Sequence, residues 1–126
     1  MEHDEFLQSE AWARLQSAAS HKGVRTSDGV YGFVHTLPLV GKYLYTPRFP
    51  RGVSDDLGSM MNSLVTAAKK TGAKWIRIEP VSESALESVR QAVSTHEIVK
   101  APHDMQPCET FVIDIAKSEE TLLAEM

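Results

Sequence analysis

Three groups of residues have the types and spacing to do chemistry. The first is Arg77 and Glu79, which alternate with Ile76 and Ile78 in Lys74-Trp75-Ile76-Arg77-Ile78-Glu79-Pro80. On a strand, side chains two apart share a face, so Lys74, Ile76 and Ile78 point one way and Trp75, Arg77 and Glu79 the other. An arginine and a carboxylate at the C-terminal end of a strand could line a ligand crevice, where α/β sheets usually bind. The plainer alternative is an Arg/Glu pair at a sheet edge. The second group is Lys42, Arg48 and Arg51. Two prolines stiffen Pro47-Arg48-Phe49-Pro50-Arg51-Gly52, a turn that leads to a helix start, where free backbone N–H groups favour anions. Guanidinium groups held there suit a diphosphate. The alternative is a solvated loop whose arginines pair with Asp55 and Asp56. The third group is Tyr43 and Tyr45, two phenols on one strand face, which is more often half-buried sheet than ligand wall.

Other chemistry is not signalled. His3, His21, His35, His96 and His103 are too far apart for a short metal-ligand spacing, so no metal site is expected. There is no Gly-x-Ser-x-Gly, no Gly-x-Gly-x-x-Gly, no P-loop and no partner for the one cysteine, Cys108. The Arg/Gln-x-x-Gly-x-Gly/Ala loop that would hold acetyl-CoA is missing too, so no cofactor is expected. A net charge of −4 argues against a general nucleic-acid footprint, though not against a local basic patch. One cysteine, an acidic Met-Glu-His-Asp-Glu start and no 18-residue apolar run point to a cytoplasmic protein without a membrane span.

The elements that must position these residues fit one domain, since 126 residues support a core but hardly two. Ser9 caps a helix over about 10–20 with Trp12, Leu15 and Ala19 at helical spacing, and Phe6 and Leu7 pack back on it. A polar link, 25–29, leads to strands over 30–37 and 42–46, paired antiparallel across a Val40-Gly41 turn. Ser54-Asp55-Asp56 opens a helix with Leu57, Met60, Met61, Leu64, Val65 and Ala68 on one face, Lys69 and Lys70 in its last turn and Gly72 closing it. The strand at 74–80 then lies in the interior of the sheet. A helix follows, capped by Ser82 or Ser84, with Leu86, Val89 and Val93 inward. Residues 98–107 are irregular, 110–115 read as a second buried strand, and Ser118-Glu119-Glu120 opens a last helix carrying Leu122, Leu123 and Met126. The expected class is α/β (α+β), a mixed sheet with helices on both faces. The end at Met126, inside a helix, suggests a piece of something longer.

Taken in order, these stretches resemble the first half of the Fem family, the non-ribosomal peptidoglycan aminoacyltransferases. The residues that carry the resemblance are Phe6-Leu7-Gln8-Ser9 with Trp12 and Gln16, Lys42-Tyr43-Leu44-Tyr45-Thr46-Pro47-Arg48 with Pro50, Gly72 to Pro80, Gln106-Pro107 with Thr110 and Ile113-Asp114-Ile115, and Ser118 to Met126. The resemblance implies the first of two acetyltransferase-like (GNAT-like) domains, working without acetyl-CoA. It implies a UDP-linked or lipid-linked muramyl-peptide acceptor bound here, and aminoacyl-tRNA bound mostly by a second domain. Gln16 and Arg48 would lie near the acceptor's diphosphate or sugar, with Lys42 in the same basic group, and Arg77 and Glu79 near the junction of the domains. Glu79 could take a proton from the attacking amine, although positioning suits it better. Two features depart from the family: its Lys/Arg-rich segment after the last helix is missing, and Phe49 stands where a glycine is usual. Phe49 is expected to crowd the turn, so that Phe49→Gly would uncover Arg48. The chain alone is expected to be inert, with its last helix exposed or self-associating. The rival reading is a stand-alone module that holds an anionic sugar nucleotide or a protein partner.

Overall fold

The computed structural model describes residues 6–51, 56–107 and 113–125. A short 3-10 helix, Phe6–Gln8, precedes α1 (Glu10–Ala18), whose first turn is capped by Ser9 Oγ accepting from the Trp12 N–H at 3.1 Å. Phe6 meets Trp12 edge to face with centroids 5.6 Å apart, which seats the N-terminal turn on α1. Three antiparallel strands follow: β1 (Lys22–Arg25), β2 (Tyr31–Leu37) and β3 (Gly41–Thr46). The β2–β3 hairpin turns through Leu39 and Gly41, both at positive φ. Then come α2 (Leu57–Thr71), β4 (Ala73–Ile78), α3 (Glu83–Ala92) and α4 (Glu119–Glu125). Gly72, at φ 75°, adopts the left-handed conformation that ends α2 and turns the chain into β4.

Among the described residues the sheet runs β1-β2-β3-β4, with β4 parallel to β3, so the fold is α+β with a mixed sheet. On one face Val34, Leu44, Ile76 and Ile78 pack against Leu57, Met61, Leu64 and Ala68 of α2 and Val89 of α3. Gly32 lies on that face because a Cβ there would meet Leu44 Cδ1 at 2.9 Å. The other face carries Phe33, His35, Tyr43, Tyr45 and Trp75. Here α1 covers its β1 end, with Ser17 Oγ 3.4 Å from where a Gly23 Cβ would be and Phe33 beside it.

Several expectations need correction. The polar link is in part a strand, β1, paired with β2 from Lys22↔Val34 to Arg25↔Tyr31. The strand expected inside the sheet is an edge among the described residues, because β4 pairs with β3 alone. Its two faces sort as the alternation requires, but only the isoleucine face joins the core, and Trp75 stays 38% exposed. Ala67, not Val65, completes the buried face of α2. Of the two serines expected to cap α3, Ser82 does so, accepting from the Ala85 N–H at 3.2 Å. Residues 98–107 are irregular, as expected. Of the strand expected over 110–115, Thr110 to Val112 lie outside the described residues, as do Ser54, Asp55 and Met126, while Ile113 to Ile115 form no strand.

Candidate functional site

The site is built at the C-terminal ends of β3 and β4, where the chain leaves the sheet in two adjacent turns. The turn after β3 is fixed from three directions. Gln8 reaches from the N-terminal turn, its side-chain amide donating to Pro47 O at 2.6 Å and Tyr31 O at 3.0 Å while its Oε1 accepts from Tyr31 N–H at 2.8 Å. Val81 N–H, just past β4, donates to Pro50 O at 3.2 Å. Phe49 plugs into the core beside Leu57, 3% exposed. Between these anchors Arg48 stands at φ 49°, a conformation that costs a side-chain-bearing residue about 1–2 kcal/mol.

Phe49 therefore does not crowd the turn. Its ring lies in the apolar cluster, so Phe49→Gly would empty the core rather than uncover Arg48. Burial of a large ring inside a proline-bounded turn is what the one-residue comparison with a family pattern could not show.

Arg48, Arg77 and Glu79 come together around one segment. Arg48 Nη2 donates to Pro107 O at 2.9 Å, Arg77 Nη2 donates to His103 O, and Glu79 Oε1 accepts from Met105 N–H at 3.2 Å. Carbonyl, N–H and carbonyl are thus bound at residues 103, 105 and 107, alternate positions of a segment that bends at His103, Met105 and Gln106. Tyr43 Oη adds a contact to Met105 Sδ at 3.9 Å. Tyr45 lies beneath, its Oη buried without a well-formed hydrogen bond. Burial, and then the Glu79 carboxylate beside it, push the phenol above its usual range, against a smaller opposing pull from Gln106 and Arg77. Tyr45 is therefore a neutral phenol at any physiological pH.

Beside this cluster a row of rings crosses the sheet. Trp75 stacks on Tyr43 with centroids 5.2 Å apart and planes 7° from parallel, Tyr43 on His35 at 5.1 Å, and His35 on His21 at 4.3 Å. Burial, and then the neighbouring His21, lower the pKa of His35.

Two of the residues singled out in the sequence are not brought into this cluster. Lys42 is exposed at the opposite end of β3, about 20 Å along the strand from Arg48 at roughly 3.3 Å per residue, and alternation puts it on the other face from Tyr43. Gln16 lies on α1, half-buried, and its backbone carbonyl accepts from Ala19 N–H and His21 N–H. Gln8, eight positions earlier, does the positioning instead. Its neighbours Phe6-Leu7 and Ser9 marked it as part of a helix entry, and nothing in the sequence tied it to Pro47. No group of three or more His, Cys, Asp or Glu that could hold a metal occurs among the described residues, and no helix among them is long and apolar enough to cross a membrane. No protein-family model matches the chain, and no curated protein or solved structure matches it either.

Proposed function

We propose that this chain is the acceptor-binding part of a Fem-like aminoacyltransferase of the cytoplasm, and that Arg48, Arg77 and Glu79 hold the peptide of a muramyl-peptide acceptor. The observation that carries this reading is the pattern of contacts to residues 103, 105 and 107: two guanidinium donors and one carboxylate acceptor satisfy main-chain groups at alternate residues of one segment. A stem peptide offers the same groups at the same spacing. The ordered sequence motifs support the assignment to this family. In this reading the 103–107 segment occupies the groups in the free protein and an acceptor replaces it. Glu79 orients the acceptor through an N–H, and Arg48, at the mouth of the turn, is the group nearest to a diphosphate. Aminoacyl-tRNA would be bound by a second domain, with no metal and no cofactor.

Titration calorimetry with a uridine-diphosphate muramyl pentapeptide tests the reading. Arg77→Ala is expected to weaken binding by about ten- to a hundredfold, the worth of a charged hydrogen bond. Lys42→Ala should leave it unchanged. Mixed with charged tRNA, the chain should bind acceptor and transfer nothing. Equal affinity for wild type and Arg77→Ala would remove the site, and transfer by these 126 residues would remove the division of labour between domains.

A further inference from the structure

A second site lies on the far side of the molecule, between β1 and α2. A groove of about 810 Å³ runs there, within the size range of ligand clefts. Its helix side is Asn62, Ser63, Thr66 and Lys70, one polar stripe at i, i+3 and i+4 spacing. Its strand side is β1, with Lys22 and Arg25 at the ends. Among the described residues no carboxylate lines it, and the cations on its side are Lys22 and Lys70, since the Arg25 guanidinium lies over the Tyr31 ring, 5.5 Å from its centroid, on the other face; the protein's net charge is −4.

Among the described residues the strand side is an unpaired edge. Thr26 N–H donates to Val30 O at 2.9 Å, in register with the Val24↔Gly32 and Lys22↔Val34 pairs. In an antiparallel ladder every second pair exchanges hydrogen bonds, so Lys22, Val24 and Thr26 bond to β2 while the N–H and C=O of Gly23 and Arg25 point outward. Gly23 is itself among the residues lining the groove. A short edge guarded by Lys and Arg deters neutral or basic strands, and the same charges attract an acidic one.

We infer that the β1–α2 groove binds an extended acidic peptide, which adds to the sheet as a fifth strand beside β1. The main chain of the peptide pairs with Gly23 and Arg25. One of its side-chain rows lies on the Ser63/Thr66 stripe, so small polar residues suit that row, and carboxylates reach Lys22 and Lys70. This is strand addition, in which the backbone supplies affinity and the flanking charges supply selection. The site is separate from the Arg48/Arg77/Glu79 cluster and does not depend on its function.

The test uses the whole chain, isotope-labelled for amide NMR, and a blocked hexapeptide Glu-Thr-Glu-Val-Glu-Thr. The expected result is saturable shifts at the Gly23 and Arg25 amides. The double variant K22E/K70E should weaken binding by at least about tenfold at low salt, and the matching peptide with Lys for Glu should not bind. Gly23→Pro removes the outward N–H and leaves the ladder to β2 intact, so it should fold and lose binding. The proposal is overturned if the acidic peptide causes no shift at Gly23 and Arg25, or if K22E/K70E binds it equally. It is overturned as well if a version N-methylated at alternate residues binds as tightly, since that would leave only a charged patch.

Discussion

The two faces of the sheet are held by different forces. On one, Leu44, Ile76 and Ile78 meet α2 and α3 through apolar contact, which has no direction and is worth roughly 25 cal/mol per Å² removed from water. On the other, beside a row of rings, Arg77, Glu79 and Tyr43 meet residues 103–105 of a stretch, 98–107, that has no helix or strand of its own and is tied down by a few directional bonds. The first arrangement fails by leaving a cavity that water does not enter. The second fails gently, because exposed donors and acceptors exchange a carbonyl for water or for a ligand at little net cost. The first face holds the larger apolar cluster, while the second buries Phe33, Tyr43 and Tyr45 beside a segment tied down by directional bonds.

The largest effect that could break this comparison is at Phe49. Phe49→Ala should cost about 3–5 kcal/mol in denaturant unfolding, as for other buried aromatic rings, because the side chain sits in the core with Leu57 and Leu44. Arg77→Ala should cost under about 1 kcal/mol, its bond to His103 O being exposed. If the two variants unfolded at the same denaturant concentration, the strapped face would be carrying as much of the fold as the packed one.

The packed face was the legible one. Leu57, Met61, Leu64 and Ala68 repeat at helical spacing, Ile76 and Ile78 alternate, and Ser9 and Gly72 announce the ends of their helices, so burial and capping alone fix these elements. β1 is not legible, because Lys22-Gly23-Val24-Arg25 holds one apolar residue and four residues give alternation no room to appear. Of the strapped face, the sequence could place Trp75, Arg77 and Glu79 on one side of a strand. It could not say that their partners are main-chain atoms of residues 103–107, since every residue carries the same carbonyl and almost every one the same N–H. The sequence makes Phe49 look like an obstruction, because standing where similar sequences have glycine says nothing about which way a ring points.

A middle-sized effect should come from pH, and it belongs to the ring side alone. His35 lies between His21 and Tyr43 with its pKa lowered, mainly by burial and next by His21. The unfolded chain binds a proton at His35 near the ordinary value, about 6.5, whereas the folded chain binds it only at lower pH. The unfolded state then holds more protons in that window, so stability from this group is complete above the ordinary value and declines as pH falls towards the lowered one. Thermal unfolding at pH 7.5 and pH 5.5 should show a loss on acidification that is smaller in His35→Phe, which keeps a ring in the stack. An equal loss in both proteins would mean that the stack does not sense protonation and that the two faces respond to acid alike.

The smallest effect is expected where neither face is involved. Leu123 lies on α4, which buries no residue, and is 65% exposed, whereas Leu44 is 0% exposed. The same substitution to Ala therefore has two predicted outcomes in one protein: about 2–5 kcal/mol at Leu44, and within about 0.5 kcal/mol at Leu123. Hydrogen exchange should agree, with the amides of Leu122 and Leu123 opening through local fraying long before those of Leu44 and Ile76. A large cost at Leu123 would mean that another surface covers the helix in solution. If that cost grew with protein concentration, the covering surface would be a second copy of this chain meeting it through α4, because only then does dilution remove the contact.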